Sequence, residues 1–344
     1  MSQVNTTEIN KISKKHVIIC LSIIATISII LKLYTMDLSN PLHSDPLGYS
    51  LAAISHTQGD FSQSSHRGIG WSIFVSFFYN FINSDNYLVY SNTIRIISSG
   101  IAVSTIFLVY LLGRKFFNEK YSIVVAALFA FEPHLNYNSV QALTEPLYIL
   151  IFIISFYFIL NQNSRYQYYL SFLFVGLLWW IRWPGIIMLI VISIIFFYNS
   201  KISARTFSKY VLCIGIFLLI VSPMLINRNN EFGDPLYFDM GSKFFTGEFS
   251  TLQSDDTSNL DYSAFDFINE KGFLEFFDRF LIAGVVNAAE QILRIAFPYL
   301  IILLPFGIVF SFRAFDQNPK FIKSNWILIL VTLSAMVITF AVIP

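Results

Sequence analysis

The residue types best suited to chemistry gather in one polar stretch, His43 to Arg67, which reads HSDPLGYSLAAISHTQGDFSQSSHR. It holds Asp45, Asp60, Arg67 and three of the chain's five histidines, His43, His56 and His66. It comes directly after the first apolar run, and in so hydrophobic a chain polar chemistry belongs just outside the apolar slab. A carboxylate at such a boundary is partly desolvated, which suits it to accept a proton. Asp45, one helical turn before Tyr49, is the leading candidate. Four more charged positions fall near the ends of apolar runs: Arg95, Glu145 in ALTEPLY, Arg182 in WWIRWPG, and Arg228 with Asn229 beyond Pro223. Charges at or within a span usually have a partner or a task. Arginine suits an oxyanion, because its planar fork bonds at two points and keeps its charge.

Each of these residues also has a purely structural reading. Arg182 can reach the outer headgroups from a hairpin tip. Glu145 can be a helix N-terminal acid favoured by the dipole, and Arg95 the partner of an acid. Asp45 can be a helix N-cap with Pro46 at the first helical position. The histidines read as surface loop residues, since their spacing matches no compact metal motif. The shared position of the charges on one side of the apolar runs carries more information than any one of them.

The elements that must position these groups are membrane helices. The chain has 344 residues, 55% of them hydrophobic and 12% charged, with a mean hydropathy of +0.62. A soluble chain carries about 25% charge, so the fold class is an all-α polytopic membrane protein. A net charge of +1 gives no basic surface for nucleic acid. Cys20 and Cys213 sit in apolar runs and imply no disulfide framework. Lys11, Lys14 and Lys15 precede the run from Val17, and no small-residue cleavage site comes after it, which predicts an uncleaved anchor.

Nine spans are predicted, at about 17–33, 87–112, 122–138, 142–160, 168–181, 183–198, 210–227, 287–312 and 325–343. With this count the inner segments hold thirteen of the 22 basic residues and three of the 21 acidic ones. The positive-inside rule therefore places the N-terminus in the cytoplasm. The apolar run 69–83 cannot be a further span, because it would send two basic loops outside. It is predicted to lie flat on the outer leaflet, anchored by Trp71. The chain reads as one integral membrane domain, 1–344, with outer loops at 34–86 and 228–286. One amphipathic helix is expected at 272–283.

The order of motifs resembles the membrane-embedded GT-C glycosyltransferases. In particular it resembles the family-39-like group that includes protein mannosyltransferases and the aminoarabinose transferase of lipid A. The pattern is carried by Asp45, Tyr49, Ala52 and Gly59 in the first outer loop, and by Arg67-Gly68 before the interfacial helix. It continues in TEPL at Thr144 to Leu147, IRWPG at Ile181 to Gly185, and PMLINRNNEFGDPLY at Pro223 to Tyr237. The likeness runs from about residue 10 to 250. Many members carry a second acid beside the first-loop aspartate, where this chain has Pro46. Many are also longer, with a C-terminal outer domain.

The resemblance implies a polyprenyl-phosphate sugar donor and a lipid, glycan or protein acceptor, with inverting displacement at the anomeric carbon on the outer face. It assigns Asp45 as the base. Arg228, Arg182 and Arg67 would hold the donor phosphate, and Tyr49 and Asn229 would position the sugar. Glu145 would orient the acceptor or hold a divalent cation, the one cofactor the resemblance allows. The aromatic face at 69–83 would lie along the lipid chain. Two other classes fit the composition: a transporter or flippase of a lipid-linked or small polar solute, and a non-catalytic truncated paralogue. A transporter would show internal repeats and charges near mid-membrane. The sequence has no evident repeat, and its charges lie near one face.

Overall fold

The computed structural model describes residues 13–62, 67–160, 166–237 and 263–283, together with Phe245, Val286, Glu290 and Leu303. Among the described residues there are helices and no strands. They form two compact units. Of the described residues, the first takes 13–62, 68–160, 166–185 and 213–221, and the second takes Arg67, 186–212 and those from 222 onward.

The first unit is organised around α4, Tyr87–Gly113. Asn86 starts this helix by accepting from the Leu88 N–H, which satisfies one of its unpaired N-terminal donors. Two apolar clusters lie along it. Ile94 and Ile101 join Leu42, Ala53, Trp71, Val75, Tyr79, Ala142, Leu147 and Ile181 in one. Ile106 joins Val17, Leu21, Ile24, Ala25, Ala126 and Ala130 in the other. The second cluster brings in α1, Lys14–Thr35, and α5, Glu119–Phe131. The first brings in α2, Ser44–Thr57, and α3, Gly70–Tyr79.

Prolines decide where the chain bends. The run expected to cross at 122–138 is broken at Glu132-Pro133, because the residue before a proline is pushed out of the helical region. Glu132 is extended there and caps α6, Pro133–Val140, by accepting from Leu135 N. That helix ends in Ala142 at φ 62°. Ala142 N donates to Ser139 O and Leu143 N to Asn138 O, the double bond pattern of a helix end that normally requires glycine. Next comes α7, Glu145–Ile159, bent by 119° from α6. It pairs with α8, Gln167–Ile181, where Ser155 Oγ meets Ser171 Oγ at 3.2 Å. Gly176 lets α8 approach the helix that carries Ile220: a Cβ there would lie 2.9 Å from Ile220 Cγ2.

A short 3-10 turn, Trp183–Ile186, closes this stretch of the first unit, and the second unit continues with α9, Ile187–Asn199. Phe196 and Phe197 pack on Tyr210, whose hydroxyl donates to Ser193 Oγ at 3.0 Å. Tyr210 belongs to α10, Ala204–Phe232, which carries Pro223 inside it. It ends at Gly233, φ 76°. Helix α11, Ala264–Lys271, has no counterpart among the expected elements and is set by a reciprocal Ser263–Asp266 cap. Where an amphipathic helix is expected at 272–283, the structure has α12, Phe273–Phe277, five residues with none buried, continued by a π-helix, Asp278–Ala283.

Three described helices, α1, α4 and α10, are long and apolar enough to cross a membrane, and α6 with α7 makes a fourth if the bent pair counts as one span. The expected spans at 168–181 and 183–198 appear as helices of 15 and 13 residues. Those at 287–312 and 325–343 lie outside the described residues. At ten residues, α3 is about 15 Å long, half a bilayer core. The anchoring assigned to Trp71 is corrected: Trp71 is 0% exposed and its indole donates to Ala142 O at 3.2 Å. The exposed aromatics of α3 are Phe74, Phe77 and Phe78, with Phe81 just beyond. A Trp donor finds no partner among hydrocarbon, whereas the strained α6–α7 break offers a carbonyl.

Candidate functional site

Asp45 stands in the first turn of α2. The N-cap is His43 rather than Asp45, and Pro46 takes the third helical position, which corrects the capping alternative. Asp45 and Tyr49 share a face through their four-residue spacing. Asp45 is exposed, so burial by the described residues does not supply the desolvation argued from sequence. The residue before it, Ser44, has φ 57°. A non-glycine residue held in the left-handed region costs about 1–3 kcal/mol, and such strain clusters where a neighbouring group must be aimed.

The linker into α2 is fixed by the N-terminal part of α4. Leu42 N donates to Ser91 Oγ at 3.2 Å, and Asn92 Nδ2 donates to Leu38 O at 2.9 Å. Arg95 Nη1 donates to Asn40 O at 2.8 Å and to Asn92 Oδ1 at 3.0 Å. Arg95 is buried and donates to the Asn40 backbone, and the acid it interacts with electrostatically is Asp37 on the same linker. Asp37 tightens the same linker: Asn40 and Ser39 side chains donate to it, and the Asn40 bond first, then Ser39, hold its carboxyl well below the usual range. On the far side of α2, Tyr79 of α3 shares a 2.8 Å bond with Ser50 Oγ and donates to Tyr90 O at 2.9 Å. Burial pushes the Tyr79 hydroxyl up, so it stays a neutral donor.

Glu145 and Arg182 meet. Arg182 Nη1 donates to Glu145 Oε1 at 2.6 Å, joining the start of α7 to the turn after α8. Neither the headgroup-facing arginine nor the lone helix-terminal acid is therefore a sufficient description of these residues. Glu145 Oε2 is buried and has no hydrogen-bond partner among the described residues. Glu145 also lines a small pocket with Asn138 and Leu135 of α6 and Ala102 of α4. Ala142, three residues before Glu145, is the second non-glycine residue in the left-handed region. Both candidate carboxylates thus come shortly after a strained residue.

The turn that carries Arg182 lies against the start of α3. A Cβ on Gly68 would sit 2.2 Å from Ile181 O, and one on Gly70 2.8 Å from Trp180 C. Only glycine fits where two backbones touch. Residues flanking Asp45 (Leu42), Glu145 (Ala142, Leu147) and Arg182 (Ile181) belong to one apolar cluster, and Leu47, Tyr49 and Tyr148 pack against it.

The other candidates fall in the second unit. Arg228 is 1% exposed; its Nη2 donates to Tyr237 O, and it lies 5.1 Å over the Phe232 ring. Asn229 is exposed, and its carbonyl accepts from Gly233 N at 2.9 Å. Arg67 is half-buried, directly before Gly68.

The histidines divide. His43 is exposed, and His66 lies outside the described residues. His56, read as a surface loop residue, is instead buried. It stacks on Phe61 and bonds Asp60 O through Nδ1 at 2.8 Å. A divalent cation at Glu145 does not fit. The Arg182 guanidinium occupies Oε1, and among the described residues no three His, Cys, Asp or Glu side chains converge. The sequence reading missed Ser91, Asn92 and Tyr79. Their only sequence signal was polarity near the ends of apolar helices.

Residues 86–227 match the dolichyl-phosphate-mannose-protein mannosyltransferase family. The chain also shares its fold with the structure of the S. cerevisiae protein O-mannosyltransferase Pmt1-Pmt2 complex bound to the sugar donor. The TM-score is 0.53 at 14% identity, over 72% of this chain and 38% of that one. This chain therefore spans less than half of the length of the yeast chain it matches. No curated protein sequence matches it. The likeness to GT-C mannosyltransferases read from the motifs is thus found in sequence and in fold. The matched stretch includes the TEPL and IRWPG motifs. It begins after the Asp45 loop and ends at the residue before Arg228.

Proposed function

We propose that this chain is a membrane glycosyltransferase that moves a sugar from a polyprenyl-phosphate donor to a lipid, glycan or protein acceptor. The carrying observation is the single apolar cluster that binds the segments of Asp45, Glu145 and Arg182 together, in a chain whose middle matches the mannosyltransferase family. The N-terminus lies in the cytoplasm and the site faces outward, in keeping with the positive-inside distribution. Asp45 takes the proton of the acceptor hydroxyl as its oxygen attacks the anomeric carbon, with inversion. The C–O bond to the lipid phosphate breaks and the phosphate departs with the electron pair. Asp45 is exposed yet its backbone is clamped, which suits a base that must meet an acceptor arriving from water.

Arg182 meets the donor phosphate, with Tyr49 toward the sugar; the phosphate roles of Arg67 and Arg228 and the sugar role of Asn229, all in the second unit, rest on the motif resemblance alone. Arg182 is already paired with Glu145, so the phosphate and the Glu145 carboxylate compete for one guanidinium. Donor binding then frees Glu145 to orient the acceptor. The exposed phenylalanines of α3 lie along the lipid chain.

The test is sugar transfer from a panel of labelled polyprenyl-phosphate sugars by membranes holding wild type or Asp45→Asn. Transfer by wild type alone supports the enzyme and its base together. Equal transfer by both would remove Asp45 from that role, and no transfer by either would count against the enzyme.

A further inference from the structure

Lys32 is a charged residue inside the first long apolar helix that none of this chemistry uses. It is 4% exposed. A buried ammonium in a membrane helix is costly, and where one is kept it has a partner and a task. Its partner is Asn136 Oδ1 on α6. The other end of that amide faces the elbow between α5 and α6: Asn136 Nδ2 donates to Ala130 O at 3.1 Å and to Glu132 O at 2.8 Å. One turn earlier on α1, Ser28 Oγ donates to the same Ala130 O at 3.3 Å. Glu132 is itself buried, with Oε2 on Leu135 N at 2.5 Å. So α1 grips a proline-broken elbow at two points one turn apart, Ser28 directly at the Ala130 carbonyl and Lys32 through Asn136, whose amide reaches the Ala130 and Glu132 carbonyls.

The course of the chain beyond the elbow makes this more than a structural tie. Helix α6 has eight residues, too short to bend. It runs from the gripped end to Val140; two residues on, the Ala142 carbonyl holds the Trp71 indole, and Glu145 comes three residues later. From α6, Asn138 and Leu135 line the same small pocket as Glu145. We infer that Lys32 and Asn136 are positioning residues for Glu145: by fixing α6 as a strut they set where the α6–α7 break lies and how Glu145 is presented to Arg182. The role of Glu145 in transfer rests on the proposed function; its positioning by Lys32 does not.

The experiment separates positioning from mere stability. Removing one partner of a buried polar pair strands the other, whereas replacing both by apolar groups of similar size relieves that penalty. The variant is therefore Lys32→Met with Asn136→Leu. The probe is Glu145→Cys, in a chain with Cys20→Ser and Cys213→Ser, modified by a charged thiol reagent whose rate reports access and surroundings. The expected result is a melting temperature in detergent within a few degrees of the parent and a modification rate shifted about fivefold or more. A rate within about twofold of the parent in a folded double variant overturns the inference. Should that variant not fold, Lys32→Gln, which keeps a neutral donor on a shorter stem, decides by the same criterion.

Transfer supplies the second arm. The double variant is expected to lose about tenfold or more in kcat, with donor KM moved less than about twofold, as for displacement of a reacting group. Turnover restored along with stability would overturn the inference. No transfer by wild type would count against the glycosyltransferase reading alone and leave the thiol rates to decide this one.

Discussion

The start of α2 and the end of α10 each carry a candidate site residue, and the two regions hold theirs in opposite ways. At α2 the backbone is bound and the side chain is presented. Ser91, Asn92 and Arg95 grip the linker, Tyr79 grips the helix through Ser50, and Asp45 is exposed. At the end of α10 the side chain itself is built into the structure: Arg228 is buried, bonded to Tyr237 O and stacked over Phe232. The contrast predicts that removing Asp45 would change transfer alone, whereas removing Arg228 would change folding as well.

Five substitutions, the last read by an acid titration, sharpen or break this comparison. The largest effect is expected from Asp45→Asn: transfer falls by about 10²–10⁴, with the melting temperature unchanged because the side chain is exposed. A melting temperature lowered along with activity would erase the contrast. Arg228→Ala is expected to do both, weakening donor binding more than acceptor binding and destabilising the fold by about 3 kcal/mol or more through lost burial and bonding. Denaturant melts and donor titrations read the two effects separately, and unchanged donor affinity would sink its phosphate role.

Gly68→Ala comes next. The methyl would meet the Ile181 carbonyl at 2.2 Å, and overpacking of this kind costs about 1–3 kcal/mol; an unchanged melting curve would show that the loop is not seated there. Arg95→Met keeps the apolar stem but drops the bonds to Asn40 and Asn92. It is expected to cost about 1–2 kcal/mol and to quicken proteolysis at residues 36–44, while transfer falls because Asp45 is less well aimed.

The smallest effect concerns acid. A carboxyl held below its ordinary value of about 3.9 contributes stability above that pH and loses it as pH falls through the folded value. Asp37 is such a group. The linker should therefore resist proteolysis from neutral pH down to about 4 and loosen only in stronger acid. Asp37→Asn should remove that acid step.

Much of this was legible in the residues, because local rules set it. Hydropathy located α1, α4 and α10, and the motif order pointed to Asp45, Glu145 and Arg182. Spacing alone put Asp45 and Tyr49 on one helical face. Glu132-Pro133 also broke the chain locally, but the apolar count through 122–138 concealed it, since hydropathy averages over a break that one proline makes.

What only the tertiary structure decided were the partners. Glu145 and Arg182 lie 37 positions apart, and nothing in either segment names the other. Trp71 looked like a lipid anchor because tryptophan suits an interface; it is buried because the α6–α7 break leaves a carbonyl that needs a donor. Arg95 grips a backbone oxygen, which every residue has and no sequence pattern marks. A sequence states which groups must be satisfied, but which group satisfies them depends on the helix that packs alongside.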